Sequence, residues 1–151
     1  MRHISRRAAL ALGAGSAAIT LVGWNGGAGA TPQAAAADIA KFTAGATPEK
    51  GKISMELPEI AENGNTVPLS FSVDAPMTAA DYVSEVLVVS EGNPNPGVAT
   101  FRFTPLSGKA EASTRIRLAA TQNIVVVAKT STGKFYTAQK LVKVTIGGCG
   151  G

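Results

Sequence analysis

The sequence predicts an all-β fold, two antiparallel sheets packed face to face over residues 51–146. Three observations carry this expectation. Apolar residues recur at every second position in several short runs, the period of a half-buried strand. Gly, Pro, Asn and Ser cluster between these runs at short intervals, as turns do. No strand–helix–strand rhythm runs through the chain, which argues against a helix-covered parallel sheet. A small closed barrel fits the same pattern and is the rival architecture.

The first 30 residues stand apart from this fold. Arg2, Arg6 and Arg7 form a positive start, and Ala8–Trp24 is small and apolar. "AGA" at Ala28–Ala30 offers a small-residue cleavage site, with a second in Ala34–Ala37. This is the pattern of an export signal. Gly13, Gly15, Gly23, Gly26 and Gly27 interrupt the apolar run and count against a membrane anchor. The adjacent Arg6 and Arg7 before that run point to twin-arginine export, a route for folded cargo.

Residues 31–50 are expected to hold a short helix and a loop. Ala34–Phe42 is alanine-rich, with Ile39 and Phe42 three apart on one face. So short a helix needs docking against the body. The strands then follow in order. Lys52–Leu57 is a candidate, stopped by Pro58, and "ENGN" at Glu62–Asn65 signals a turn. Thr66–Val73 alternates cleanly, with Val67, Leu69, Phe71 and Val73 on the inner face; Pro68 suggests an edge or a strand start. Tyr82–Ser90 is apolar on both faces and reads as a central strand. "GNPNPG" at Gly92–Gly97 is a rigid polar loop.

Val98–Thr104 follows, with Phe101 and Phe103 inward and Arg102 outward. Ala112–Leu118 alternates again, and Asn123–Thr130 is β-branched and apolar. "STGK" at Ser131–Lys134 reads as a hairpin turn leading into Phe135–Ile146. There Val142, Val144 and Ile146 share one parity, and Leu141 breaks it. A bulge or a change of sheet near Gln139–Leu141 is expected to absorb the break.

Charge excludes one class of partner. Without the three arginines of the leader, the 14 Lys and Arg become 11 against 10 Asp and Glu. The mature domain is therefore near neutral, and the basic balance belongs to the targeting segment. It gives no argument for nucleic acid. The single His, His3, lies in the leader and the chain has one Cys, so a zinc site is not expected.

That cysteine, Cys149, sits in "TIGGCGG" at Thr145–Gly151, with Gly147 and Gly148 before it and Gly150 and Gly151 after it. From Ile146, an extended backbone places it about 10 Å from the body at ~3.3 Å per residue. The four glycines are expected to make residues 147–151 a flexible arm, narrow enough to enter an enzyme pocket. A free thiol is only a few per cent thiolate at neutral pH (pKa about 8.5), and no histidine stands near to activate it. Cys149 is therefore not expected to be a self-activated nucleophile; activation falls to partner active sites. On the residues alone, several readings stay open. The thiol could be incidental, buried, lipidated, joined to another protein by a disulfide, or a covalent carrier of substrate.

"VKVTIGGCGG" at Val142–Gly151, with "ENGNTVPLSF" and "EGNPNPGVATFRFTP", resembles the SoxY family, the sulfur-carrier subunit of the thiosulfate-oxidising Sox system. The resemblance spans essentially the whole mature chain. It implies an immunoglobulin-like sandwich paired with SoxZ, a second β-sandwich subunit, in the periplasm. It implies that Cys149 carries the sulfur intermediates covalently and that the chain is not an enzyme and needs no cofactor. A c-type haem enzyme would conjugate thiosulfate to the thiol, a thiosulfohydrolase would release sulfate, and a sulfur dehydrogenase, where present, would oxidise the remaining sulfur. The alternative is an exported sandwich adaptor linked to its partner by an intermolecular disulfide. Two further features have bland readings beside functional ones. Gly92–Gly97 either turns the chain or meets a partner. Arg102, Arg115 and Arg117 either form a positive strip or are solvated.

Overall fold

The computed structural model describes residues 31–148. Residues 1–30, on which the expected export signal falls, and Cys149, Gly150 and Gly151 lie outside the described residues.

Helix α1 spans Pro32–Phe42. Thr31 caps it, its Oγ1 accepting from the Ala34 N–H at 3.3 Å, and Pro32 occupies the first turn. A proline is tolerated there because that N–H has no intrahelical partner in any case. Strands β1 (Glu49–Lys50), β2 (Ile53–Glu56), β3 (Ile60–Asn63), β4 (Val67–Val73), β5 (Val83–Ser90), β6 (Gly97–Arg102), β7 (Ala110–Ile116), β8 (Gln122–Thr130) and β9 (Phe135–Ile146) follow. A short 3-10 turn at Pro105–Ser107 carries the chain from β6 to β7.

The strands form two sheets. The larger runs β1-β9-β8-β5-β6, with β3 also paired to β9; the smaller runs β2-β4-β7. Their facing sides make one core. Val67, Leu69 and Phe71 of β4 and Ile116 of β7 meet Val86, Val88, Ile124, Val126 and Val142 of the larger sheet. Phe71 and Phe101 lock the two layers edge to face, ring centroids 5.2 Å apart. Each such side chain, once fully buried, contributes about 1.5–3 kcal/mol. Among the described residues the fold is thus all-β with one short α-helix, the sandwich that the alternation predicts.

The opposite parity of the larger sheet is also apolar. Val89, Val125 and Val127 are buried outside that core, on the face where α1 packs against β5. This explains why β5 and β8 read as apolar on both faces. Phe42 docks the end of the helix against Phe135 at 6.3 Å.

Three details differ from the sequence expectation. The two short strands β1 and β3 were not anticipated, and both pair with β9 in parallel. No bulge marks Gln139–Leu141, because the β8–β9 register runs unbroken from Lys129↔Phe135 to Gln122↔Val142. Leu141 simply faces outward, half exposed. The irregularities fall in β5 instead, between Val83 and Glu85 and between Val88 and Val89. Pro68 stands at the start of β4, one of the two places expected for it, although β4 is the middle strand of the smaller sheet and not an edge. It is tolerated because β2 ends opposite Ser70, leaving Pro68 paired only to Arg115 of β7.

Candidate carrier terminus

The C-terminal end of β9 lies where three chain segments meet. On one side, β3 runs parallel to β9, and Lys143 donates to the Glu59 carbonyl at 2.9 Å. The turn after β3 brings Gly64 to the end of the strand, where its N–H donates to the Ile146 carbonyl at 2.7 Å. On the other side lies the loop between β7 and β8. Thr121 Oγ1 accepts from the Val144 N–H at 2.9 Å.

Beyond Ile146 the chain is still held. Gly148 is buried, and its N–H donates to the Leu118 carbonyl at 2.9 Å. Leu118 in turn donates to the Gly64 carbonyl at 2.8 Å. Gly64, Leu118 and the tail are therefore linked by backbone alone. None of Gly64, Gly147 and Gly148 takes the left-handed conformation. Close approach is why glycine stands at each. A Cβ on Gly147 would overlap the Ala119 carbonyl oxygen. On Gly148 it would lie 2.9 Å from the Gly64 oxygen. On Gly64 it would overlap the Leu118 oxygen and lie 2.7 Å from the Gly148 nitrogen.

The loop that receives the tail is itself braced by buried amides. Asn93 Oδ1 accepts from the Ala119 N–H at 2.9 Å, and Asn93 Nδ2 donates to the Arg117 carbonyl at 2.8 Å. Gln122 Nε2 donates to Asn93 Oδ1 at 2.8 Å and to the Ala120 carbonyl at 3.1 Å, while its Oε1 accepts from the Gly92 N–H at 2.6 Å. Asn93 and Gln122 are both almost fully buried. Neither stood out in the sequence as part of the site. This gives the "GNPNPG" loop a structural job, holding the Arg117–Ala120 segment in place.

The expected site residues fall as follows. Of Gly147 and Gly148, assigned to the arm for flexibility, Gly148 is buried against the sandwich, and Gly147 is exposed with its backbone close to the Ala119 carbonyl. Cys149, Gly150 and Gly151 lie outside the described residues. Arg102 does not join a strip with Arg115 and Arg117. It lies on β6 in the larger sheet and pairs with Glu85 at 2.8 Å, whereas Arg115 lies on β7 in the smaller one. The Arg102 side chain is largely solvent-exposed, and Glu85 is partly so. Arg102→Ala should shift stability by no more than about 0.5 kcal/mol, read from urea unfolding midpoints. Among the described residues no group of three or more His, Cys, Asp and Glu could hold a metal ion. No described helix is long and apolar enough to cross a membrane.

Fold and site together define a two-sheet β-sandwich that grips its own C-terminal tail by the backbone just before a single cysteine. The family model for "Sulfur oxidation protein SoxY" matches residues 39–149, a span that ends on Cys149 itself. The solved sulfur carrier protein SoxY from Chlorobium limicola f thiosulfatophilum is 35% identical, with a TM-score of 0.63 over 77% of this chain and 100% of that one. The chain belongs to the SoxY family, which is a family of sulfur carriers and not of enzymes. The superoxide reductase (neelaredoxin) from Ignicoccus hospitalis is also similar, at 20% identity and a TM-score of 0.56, covering 62% of this chain and 80% of that one. The superoxide reductase from Nanoarchaeum equitans is 10% identical with a TM-score of 0.51 over 64% of this chain and 100% of that one. At such identities the likeness is one of fold alone. Among curated proteins no relative matches.

Proposed function

We propose that the protein carries sulfur intermediates of thiosulfate oxidation covalently on Cys149 and presents them to separate enzymes. One observation carries this reading most: the SoxY match runs through to the lone cysteine, next to glycines that the sandwich holds. In the first step the thiol and thiosulfate join through a new S–S bond. The thiol proton and two electrons leave, and the electrons pass to a c-type haem enzyme. Water then cleaves the bond between the outer sulfur and the sulfonate, which departs as sulfate and leaves a persulfide on Cys149. A thiosulfohydrolase performs this step. Where a sulfur dehydrogenase is present, it removes six electrons from the persulfide's outer sulfur as three waters supply oxygen. A second hydrolysis frees sulfate and restores the thiol. The protein contributes no redox group to any of these steps. It keeps charged intermediates from diffusing away and brings them to each active site.

In this reading the partner subunit is a SoxZ-like β-sandwich, and the two leave the cytoplasm folded through twin-arginine export to work in the periplasm. The paired arginines before the apolar leader support that route.

Intact-mass analysis of native protein under non-reducing conditions tests the carrier reading. Small adducts that depend on thiosulfate, vanish with reductant and map to Cys149 are expected. A stable protein–protein disulfide at Cys149, with no small adducts turning over, would instead establish the adaptor alternative.

A further inference from the structure

We infer that Gly64 and the Leu118–Ala119 backbone form a clasp that fixes the root of the carrier cysteine, making Gly64 and Asn93 positioning residues for sulfur transfer. The inference rests on the carrier reading of Cys149. A tail with no contact beyond Ile146 would swing from the end of β9. Here three backbone hydrogen bonds close a circuit instead: Gly64 to Ile146, Leu118 to Gly64, and Gly148 to Leu118. The circuit joins residues far apart in sequence, and it needs glycine on both sides of the contact, at Gly64 and at Gly148.

Gly148 is bonded directly to Cys149, so the cysteine Cα stands about 3.8 Å from a residue hydrogen-bonded into the sandwich. A partner enzyme thus meets the thiol together with a fixed surface made of the Gly64 turn and the Leu118–Ala120 loop. Docking on that surface aligns the sulfur before chemistry. Losing that alignment is costly, because a displacement of about 1 Å can reduce a rate on the order of a hundredfold. Asn93 acts one step further out, since it holds the Arg117 carbonyl and the Ala119 N–H that shape the Leu118 side.

Gly64→Ala tests this from outside the arm, so the bulk entering a partner's pocket is unchanged. Asn93→Ser, studied well below its melting midpoint, loosens the other side of the clasp and stands in if Gly64→Ala does not fold. Three quantities are measured on the full mature protein: Gly148 amide exchange by NMR, Cys149 alkylation by iodoacetamide, and kcat/KM of the haem enzyme for the carrier with thiosulfate. Gly148 exchange should rise at least tenfold while the Val126 amide stays protected. Alkylation should remain within about twofold of wild type, and kcat/KM should fall about tenfold or more. Faster Gly148 exchange with unchanged kcat/KM would overturn the positioning role and leave the carrier reading intact. Unchanged Gly148 exchange would overturn the clasp itself. Failure of the wild-type protein to gain any thiosulfate-dependent adduct on Cys149 would sink the carrier reading, a result separate from both.

Discussion

Replacing Cys149 by Ser should abolish thiosulfate-dependent adducts and reduce Sox turnover to background while the protein folds as before. Cys149 comes three residues after the end of β9, in a glycine-rich tail whose own sequence supplies no apolar side chains to pack it. Substitutions away from packed or networked positions usually change stability by less than about 0.5 kcal/mol. The melting midpoint should therefore move by no more than a few degrees. Serine keeps the size of the residue but cannot form or exchange an S–S bond under these conditions. Sulfate release by the reconstituted system and a thermal melt check both halves of this expectation. Residual turnover near wild type would mean that another group carries the sulfur. A large fall in melting temperature would mean that Cys149 supports the fold.

The largest effect on stability away from the apolar core is expected at Asn93. Asn93→Ala removes both polar atoms of a side chain that is almost fully buried. It leaves the Ala119 N–H and the Arg117 carbonyl without the partner each now has, and takes one acceptor from the Gln122 amide. A buried polar group left unpaired costs about 1–3 kcal/mol. Gln122 keeps its bond to the Ala120 carbonyl, and part of the loop can turn toward water. A loss of about 3 kcal/mol is therefore expected, seen as a lower urea midpoint at unchanged slope. A loss under about 0.5 kcal/mol would show that the amide network does not brace the loop.

Much of the sandwich was legible because alternation is a local signal. Val67, Leu69, Phe71 and Val73 all point inward as their parity requires, and the alanine-rich run Ala34–Phe42 lies inside the helix, which starts two residues earlier at Pro32. What was missed depends on partners distant in the chain. Glu49–Lys50 and Ile60–Asn63 carry no strand pattern of their own and become strands only because β9 offers them an edge. Leu141 looked like a register fault, yet a single outward apolar residue leaves the ladder intact.

The site was legible in part. "GGCGG" marked Cys149, but glycine has two physical uses, freedom and close approach, and the sequence does not say which applies. At Gly147 and Gly148 the second applies, because the carbonyls of Ala119 and Gly64 occupy the space a Cβ needs. Asn93 was hidden in a loop whose Pro and Gly already explained a turn. Its partners lie 24–29 residues away, in the loop between β7 and β8 and at the start of β8. The "ENGN" turn was recognised, but its second duty, to meet the tail, was not.

Turnover with radiolabelled thiosulfate tests the central claim most directly. Mature protein, its partner subunit and the conjugating and hydrolysing enzymes are mixed with a short pulse of label, and Cys149 is followed by rapid quench and peptide mapping. The label should appear on Cys149 first and leave it as sulfate at least as fast as the system turns over. Sulfate released at full rate with no label ever passing through Cys149, or label that stays on Cys149 through many turnovers, would contradict it.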